Sequence, residues 1–265
     1  MGMYKLKVFC LSVLLLLLLC GETAIAGVVG SPHDLTGVPA SGTDQVCVYC
    51  HTPHGADSSA NVPLWNKVLN DPANYTQYSS LTTPTFDATE APIGSVSIAC
   101  LSCHDGTQAV DVVINAPGSG GYNSAGSQIG SLGPLTNSPV PMLTTDLTDD
   151  HPISIPYAAG GPLSTDADGI YAGALGDPDF VPPNKDTVNS NAVWWVDSAA
   201  GTPNVREKTD MILYTRTDLN PAGEPFVECG SCHDPHNDET ASINQVAFLR
   251  VDNAASQVCT ACHTK

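Results

Sequence analysis

The hydrophobic and polar positions divide this chain into one apolar run near the start and a long remainder with little regular pattern. Residues 8–20 read VFCLSVLLLLLLC, and two lysines precede this run. A basic start, a short apolar run and the sequence AIA at 24–26 are together typical of a secretory signal peptide. We therefore expect residues 1–26 to direct export and residues 27–265 to form the mature protein.

A lipid anchor is the alternative for the same segment, because Cys20 ends the apolar run. The large Leu19 before it fits this alternative poorly, since such sites favour a small residue at that position. The run is too short and wrongly flanked for a transmembrane span. No later hydrophobic run is long enough for one, so the mature chain is expected to have no membrane span.

The rest of the chain has few segments with a regular period. β-Branched and aromatic residues predict short strands in NAVWWV at 191–196 and MILYTR at 211–216. A short helix is expected in NAASQVCTACH at 253–263, with Asn253 or Ser256 as its N-cap. The 23 glycines and 21 prolines indicate many turns. We therefore expect a single domain of mostly irregular coil with short helices and a few short strands.

The composition is acidic, with 27 Asp and Glu against 9 Lys and Arg and a formal net charge of −18. A chain of this charge is not expected to bind nucleic acid or an anionic membrane surface through electrostatic attraction. Only 6% of the residues are aromatic, and periodic core-forming segments are scarce. Something other than a large apolar core is therefore expected to hold the mature chain together.

All cysteines after the apolar run occur in four copies of one motif, C-x-x-C-H. Of the ten cysteines, Cys10 and Cys20 belong to the export segment. The other eight are Cys47 and Cys50, Cys100 and Cys103, Cys229 and Cys232, and Cys259 and Cys262, followed directly by His51, His104, His233 and His263. This motif is typical of covalent c-type haem attachment. The expected cofactors are therefore four covalently attached haem c groups.

The spacing of this motif has a chemical reason. Two residues between the cysteines allow both sulfurs to reach the two vinyl groups on one edge of a porphyrin, and the following histidine then lies under the ring as an iron ligand. Disulfide pairs in an exported protein and Cys/His zinc sites are the alternatives. Neither of them requires a histidine directly after every cysteine pair.

The histidines match in number the axial ligands that four six-coordinate haem irons need. Eight occur in the chain, and four of them follow the cysteine pairs. The other four, called the spare histidines below, are His33, His54, His151 and His236. Met142 and Met211 are the only methionines after residue 26, so methionine cannot be the second ligand of every iron. We therefore expect two histidine ligands at each of the four irons.

Two spare histidines follow a haem motif by three positions, His54 in CHTPH and His236 in CHDPH. Two ligands of one iron must face each other with their nitrogens about 4 Å apart, whereas side chains three positions apart point out side by side. We therefore expect His54 and His236 each to bind the iron of a different haem, which would bring two haems close together. Pro53 and Pro235 are expected to stiffen these segments.

The motifs lie toward the two ends of the mature chain and form two related two-haem units. Each unit begins with C-x-x-C-H-x-P-H and ends with a plain C-x-x-C-H, and residues 105–228 between them contain His151 but no such motif. His33 lies close to the expected mature N-terminus, where a chain is poorly ordered unless a contact holds it. Iron ligation, in its own chain or in a neighbouring copy, would provide that contact.

The segments HDLTG, CVYCHTPHG, PLW at 63–65, DDHPISIPY and CGSCHDPHN resemble the multihaem c-type cytochromes of metal-reducing bacteria, in particular the filament-forming tetrahaem outer-surface cytochromes of the OmcE type. The resemblance spans most of residues 30–263, with the middle matched only around His151. It implies a mostly coil fold organised around stacked haems, and an unbroken haem chain along a filament. It also implies that a histidine of one subunit completes a haem in the next. By position, His33 is the candidate for that ligand.

The function expected from the sequence is electron transfer through four bis-histidine haems, in an exported protein that assembles head to tail outside the cell or on its outer surface. The expected partners are copies of the same chain, redox partner cytochromes and extracellular electron acceptors. A monomeric periplasmic electron shuttle is the alternative. A multihaem reductase is a further alternative and requires an iron with an open position. No catalytic motif stands out, so enzymatic activity is not expected.

Overall fold

The structure is a computed structural model that describes residues 27–84, 86, 88–118, 121–136, 142–160, 175–198, 201–219, 223–237 and 248–265. The predicted export segment, 1–26, lies outside the described residues. Within these ranges the regular structure consists of three short α-helices, six short 3-10 helices and two small antiparallel sheets. None of the described helices combines the length and the hydrophobicity that crossing a bilayer requires.

The α-helices and strands are short and widely separated along the chain. The α-helices are α1 (Ser95–His104), α2 (Cys229–Cys232) and α3 (Gln257–Thr260). The strands are β1 (Val112–Asn115), β2 (Tyr122–Gln128), β3 (Ile155–Pro156), β4 (Asn184–Val188), β5 (Asn191–Val196), β6 (Met211–Thr215) and β7 (Pro225–Val227). The 3-10 helices are Leu35–Gly37, Val46–Tyr49, Pro72–Asn74, Tyr78–Leu81, Tyr157–Ala159 and Ala254–Ser256. The predicted mostly irregular fold is confirmed at this level of description.

The larger sheet has five antiparallel strands in the order β3-β7-β6-β5-β4. The β4–β5 hairpin turns through Asn189 and Ser190, which both have positive φ, 50° and 66°. Positive φ at both turn positions matches the right-handed twist of the flanking strands. The strands predicted at 191–196 and 211–216 are confirmed as the adjacent strands β5 and β6, the second ending one residue earlier than expected.

The helix predicted at 253–263 is present but divided. A 3-10 turn, Ala254–Ser256, precedes α3, and Ala255 and Ser256 both have positive φ, 53° and 61°. These left-handed residues interrupt the helix, so Asn253 and Ser256 occupy the two N-cap positions without making a side-chain capping hydrogen bond. The predicted N-cap residues therefore do not stabilise this helix through their side chains.

Two small apolar clusters take the place of one large core. The first lies on the five-stranded sheet and consists of Tyr157, Ala158, Trp194, Val196, Met211, Leu213, Val227 and Val251, with Cys232 and Cys262 packed against it. The second surrounds α1 and consists of Ala60, Tyr75, Ile93, Ile98, Ala99, Leu101 and Leu147, with Trp65 packed against it. Because residues of the cysteine motifs and their neighbours border both clusters, the apolar packing and the motifs share the same regions of the molecule.

Candidate haem sites

Three of the four C-x-x-C-H motifs have the same backbone arrangement. In the first, third and fourth motifs the histidine N–H donates to the carbonyl of the first cysteine, at 2.8 Å for His51, 3.1 Å for His233 and 2.9 Å for His263. The carbonyl of the second cysteine then accepts from a distant residue, Asn66, Arg250 or Val181, at 2.8 Å in each case. The position of each histidine relative to its cysteines is therefore set by one turn and by one hydrogen bond to a distant segment.

The second motif lies in a regular helix instead. Cys100, Cys103 and His104 form the end of α1, and the His104 carbonyl accepts from the Leu143 N–H at 2.7 Å. Cysteines three positions apart in a helix lie on the same side of it. The two sulfurs of this motif therefore also point in one direction, as attachment to one porphyrin edge requires.

The four motifs are neighbours in space in the same order as along the chain. Burial and then repulsion from Cys103 raise the pKa of the Cys50 thiol to about 12, while the charge of Lys67 acts in the opposite direction. The thiols of Cys100 and Cys229 share a hydrogen bond. The pKa of Cys262 is raised to about 12 by burial and next by Cys232. The first motif thus lies beside the second, the second beside the third and the third beside the fourth.

None of the eight cysteines after residue 26, all of which are among the described residues, forms a disulfide. The thiols of Cys50, Cys100, Cys232 and Cys262 are each close to thiols of their own motif and of a neighbouring motif. The disulfide alternative would require the two cysteines of each motif to be joined, and the structure contains no such pair.

Three of the spare histidines each face a histidine of a cysteine motif. The ring centres are 6.2 Å apart for His33 and His104, 6.1 Å for His51 and His236, and 6.4 Å for His151 and His263. Each pair joins one motif histidine to one spare histidine, and none joins two of the same kind. His236 therefore faces the first motif and not the third motif, to which it is adjacent in sequence.

These separations fit two imidazoles that share one metal ion. Metal–nitrogen bonds of histidine are about 2 Å long, so two nitrogens on opposite sides of one metal lie about 4 Å apart. The centre of a five-membered ring with bonds of about 1.33 Å lies about 1.1 Å behind each ring atom. The expected distance between ring centres is then about 6.2 Å. Rotation of either ring about the nitrogen–metal line leaves this distance unchanged, so the interplanar angles of 73°, 19° and 62° are equally compatible with it.

Ordinary aromatic contact is the other explanation for paired rings, since aromatic pairs occur with ring centres about 4.5–7 Å apart. His33 stacks on Phe248 at 4.2 Å and His263 lies 4.4 Å from Phe180, so direct contacts of this kind are present in the molecule. The ring centres of the three histidine pairs are farther apart than in those direct contacts, at 6.1–6.4 Å. The gap is the width that an intervening metal ion needs.

In each pair, one histidine ring is hydrogen-bonded to the backbone carbonyl of a proline. The Nδ1 atom of His51 lies 2.7 Å from the Pro63 oxygen, and that of His151 lies 2.9 Å from the Pro152 oxygen. The ring of His33 is hydrogen-bonded to the Pro235 carbonyl. When Nδ1 carries the proton and donates it to a carbonyl, the neutral ring presents Nε2 as its metal-binding atom. The chain thus fixes the ring orientation that iron ligation requires.

His33 is held within its own chain. Burial, followed by the neighbouring His104, lowers the pKa of its imidazole to about 4, and His236 and His233 contribute in the same direction. The ring is therefore neutral at neutral pH, which is the form that binds metal ions. His33, the candidate ligand for a neighbouring subunit, faces His104 in the single chain of this structure.

His54 and His233 lie outside the three pairs. The His54 backbone is fixed, since its carbonyl accepts from Thr52 Oγ1 at 3.0 Å and from Asn115 Nδ2 at 2.7 Å, while the residue as a whole is exposed. His233 belongs to the group of histidines around His33, because its charge also affects the His33 pKa. Among the described residues, His54 is the spare histidine whose ring contacts no other aromatic ring.

A buried polar cluster joins the second and third motifs. The Glu228 carboxylate accepts from Ser97 Oγ at 2.5 Å, from Ser154 Oγ at 3.1 Å and from Arg216 Nη1 at 3.3 Å. Ser97 lies in α1, and its hydroxyl also accepts from the Cys229 N–H at 2.9 Å. Burial raises the pKa of Glu228 to about 7, against the opposite effects of Ser97 and Arg216. We call Ser97, Ser154, Arg216, Asp218 and Glu228 the Glu228 cluster.

The indole nitrogen of Trp65 is a buried donor for which the described part of the chain supplies no acceptor. Its ring centre lies 5.9 Å from that of His51 in an edge-to-face arrangement. Buried donors are normally satisfied, and a haem propionate at the first motif would be an acceptor of suitable chemistry. This unsatisfied donor beside a motif histidine fits the presence of a haem.

Several residues of these sites were not identified from the sequence. The carbonyls of Pro63, Pro152 and Pro235 could not be identified from residue type, because every residue has a backbone carbonyl. Lys67 could have been noticed as a single lysine in the otherwise apolar and amide-rich stretch LWNKVLN. Glu228, directly before Cys229, has no local pattern that marks it as buried.

Comparison with known proteins gives no family assignment: no protein-family model matches the chain, and no curated protein is similar enough to match it. Within the described residues, no three histidine, cysteine or acidic side chains form a cluster that could hold a metal ion by themselves. A haem iron takes only two axial ligands from the protein. The histidine pairs therefore differ from metal sites built from three or more side chains.

Proposed function

We propose that this protein is an electron carrier with four covalently attached c-type haems, each with two histidine ligands. The observation that carries the proposal is the set of three motif–spare histidine pairs with ring centres 6.1–6.4 Å apart. Each pair lies beside a cysteine pair of the spacing that attaches haem. Haem iron bound in this way supplies one-electron transfer, at a lower potential than with methionine as one ligand.

The residues of the chain have defined roles in this proposal. The eight cysteines form the thioether attachments, and His51, His104, His233 and His263 are the proximal ligands. His236, His33 and His151 are the distal ligands opposite the first, second and fourth of these. The proline carbonyls hold the rings in the ligating tautomer. The order of the motifs in space supports electron transfer along one series of four centres.

The count of histidines leaves His54 as the distal ligand opposite His233. His54 follows the first motif as His236 follows the third, and His236 faces the first motif. A reciprocal exchange between the two C-x-x-C-H-x-P-H segments would therefore make His54 the ligand of the third haem. This ligand can come from the same chain or from a neighbouring copy, since the His54 residue is exposed.

We further propose that the exported protein assembles head to tail into an extracellular filament, with copies of itself, redox partner cytochromes and external acceptors as its partners. The resemblance in sequence supports this proposal, and His33, whose ring centre lies 6.2 Å from that of His104 in the single chain, is one candidate ligand between subunits. His54, which is exposed, is the second candidate for the cross-subunit ligand. A heterologous contact that does not close into a ring produces a filament.

The experiment that tests the electron-carrier proposal is a count of haems and spin states in the protein produced with a c-type haem maturation system. Intact mass should show four added haems, and the oxidised protein should have a wholly low-spin electron paramagnetic resonance spectrum. Fewer haems, or zinc retained by the cysteines, would contradict the proposal. A high-spin iron would instead favour the multihaem reductase, because substrate reduction needs an open iron position.

Assembly is tested separately. Negative-stain imaging and gel filtration of the secreted, four-haem protein should show filaments with a regular subunit repeat. A monomer with four low-spin haems would contradict the filament proposal and support the periplasmic shuttle, without affecting the assignment as an electron carrier.

A further inference from the structure

Lys67 is a fully buried cation in a chain that has few cations. The chain has 9 Lys and Arg against 27 Asp and Glu, and Lys67 is 0% exposed. Burial of a charged side chain is costly unless polar groups compensate for the lost water. The burial of Lys67 therefore requires groups that compensate for its charge.

The ammonium group of Lys67 is satisfied by backbone oxygens. It donates to the carbonyl of Val110 and, at 3.0 Å, to that of Val112. Within the described ranges it forms no ion pair, in contrast to the buried Arg216, which is paired with Asp218 and Glu228. Lys67 therefore keeps a positive charge that no carboxylate within ion-pair distance neutralises.

The position of Lys67 is fixed relative to the first cysteine motif. The preceding residue, Asn66, is fully buried and donates its backbone N–H to the Cys50 carbonyl at 2.8 Å. Its side-chain amide donates to the Val48 carbonyl at 2.7 Å. The segment that carries Lys67 is thus hydrogen-bonded directly to the Cys47–Cys50 turn.

The buried carboxylates near Lys67 accept hydrogen bonds from other donors. Asp111 is buried between the two residues whose carbonyls Lys67 binds, but its carboxylate accepts from Gln128 Nε2 and from the backbone N–H groups of Gly130 and Leu132, at 3.0–3.1 Å. Asp105 accepts from Tyr75 at 2.8 Å and from Asn70 at 3.2 Å. These carboxylates are directed to other hydrogen-bond donors.

We propose that the buried charge of Lys67 raises the reduction potential of the haem attached through Cys47 and Cys50, so that this haem has the highest potential of the four. This inference rests on the proposed function. An electron added to a metal centre is stabilised by a nearby positive charge, and more strongly in a buried site than in water. The third motif differs, because the two arginines beside it are paired with carboxylates: Arg216 with Asp218 and Glu228, and Arg250 with Asp234.

The test is Lys67→Gln in the haem-loaded protein, studied by spectroelectrochemical titration with each haem assigned by nuclear magnetic resonance. Glutamine keeps an N–H donor for the two carbonyls and removes the charge. A unit charge about 10 Å away at an effective dielectric constant of about 20 changes an equilibrium on the order of tenfold, equal to about 59 mV for one electron. The reduction potential of the first haem should fall by this amount, and the potentials of the other three haems should shift by less.

Lys208→Gln is the matched control, because it removes the same charge from an exposed residue. It should leave the order of the four potentials unchanged. An unchanged first-haem potential in Lys67→Gln, with four low-spin haems attached, would overturn the inference while leaving the proposed function intact. Failure of haem attachment in the unmodified protein would overturn both.

The unmodified protein provides a second measurement in case Lys67→Gln does not fold. Assignment of its four potentials should place the haem at Cys47 and Cys50 highest. Any other haem at the top of the order would contradict the proposal.

Discussion

At the scale of single residues, the histidine rings are oriented by groups that are remote in sequence. The ring of His51 is hydrogen-bonded to the Pro63 carbonyl, 12 residues away. The ring of His33 is hydrogen-bonded to the carbonyl of Pro235, which follows the third motif. Hydrogen bonds of this kind set the tautomer of a ligand and contribute to metal affinity. In the proposed haem sites these hydrogen bonds would orient the same rings that ligate iron.

His236→Ala tests the assignment of a distal ligand. We expect one of the four irons to become high-spin, and the affected haem should be the one at Cys47 and Cys50, because His236 faces His51. Electron paramagnetic resonance with haem assignment by nuclear magnetic resonance provides the measurement. Pro235→Ala is the control, since it keeps the backbone carbonyl that holds His33 and should keep all irons low-spin. A change at the third haem instead would refute the exchange of ligands between the two segments.

Glu228 is expected to make stability depend on pH. Burial raises its pKa in the folded protein to about 7 from a usual value of 4.5. The contribution of Glu228 to the free energy of unfolding is fully present below pH 4.5 and is lost as the pH rises through 7. The reason is that Glu228 ionises more readily in the unfolded chain than in the folded protein. The loss is on the order of 3 kcal/mol. Thermal unfolding of the haem-loaded protein between pH 5 and 8 should show this decline.

Glu228→Gln should reduce the decline, because glutamine does not ionise. Glu90→Gln, which changes a carboxylate that accepts from the Ser79 N–H in an exposed hydrogen bond, is the control and should keep the wild-type pH dependence. Equal pH profiles for Glu228→Gln and the unmodified protein would show that Glu228 is not the responsible group.

At the scale of elements, α1 and α2 carry the second and third motifs and are held together by polar contacts. The Ser97 hydroxyl in α1 binds both Glu228 and the Cys229 N–H, and Gly94 allows Arg216 to approach the start of α1. A Cβ atom at Gly94 would lie 2.5 Å from Arg216 Nη2. The spacing between these two motifs is therefore set by the Glu228 cluster and not by apolar packing alone.

Ser97→Ala should destabilise this junction. The substitution leaves the Cys229 N–H and the Glu228 carboxylate without one partner each, at a cost of about 1–3 kcal/mol. The gain in helix propensity from alanine is smaller, about 0.5 kcal/mol. Guanidinium unfolding followed by circular dichroism measures the difference. Ser59→Ala, at an exposed serine bonded to Asp57, should change stability by less than about 0.5 kcal/mol, and an equal effect of both substitutions would argue against the role of Ser97.

At the scale of the whole molecule, the cysteine motifs form a series that crosses from the α1 region to the five-stranded sheet. Cys50 lies near Cys103, Cys100 near Cys229 and Cys262 near Cys232. Two separate apolar clusters border this series, one around α1 at the second motif and one against Cys232 and Cys262 of the third and fourth motifs. Because both clusters are small, covalent haem would contribute much of the buried contact area in the proposed protein.

His54→Ala relates ligation to assembly. If His54 binds the third haem of a neighbouring copy, this variant should contain one high-spin iron and remain monomeric, as judged by gel filtration and negative-stain imaging. His151→Ala is the matched control, since it removes a distal ligand that faces His263 of the same chain and should leave assembly unchanged. Filaments formed by His54→Ala would refute its role between subunits.

The sequence by itself determined the candidate attachment sites and the number of histidines, because two cysteines and a histidine within five positions are a local arrangement that needs no fold to bring it together. It also predicted strands β5 and β6, whose apolar and β-branched residues are consecutive. Only the tertiary structure decided which spare histidine faces which motif. His51 and His236, or His33 and His104, are far apart along the chain, and no local sequence pattern predicts which distant histidines meet. For the same reason the burial of Lys67 and Glu228, and the placement of His33 within its own chain, became evident only in the folded molecule.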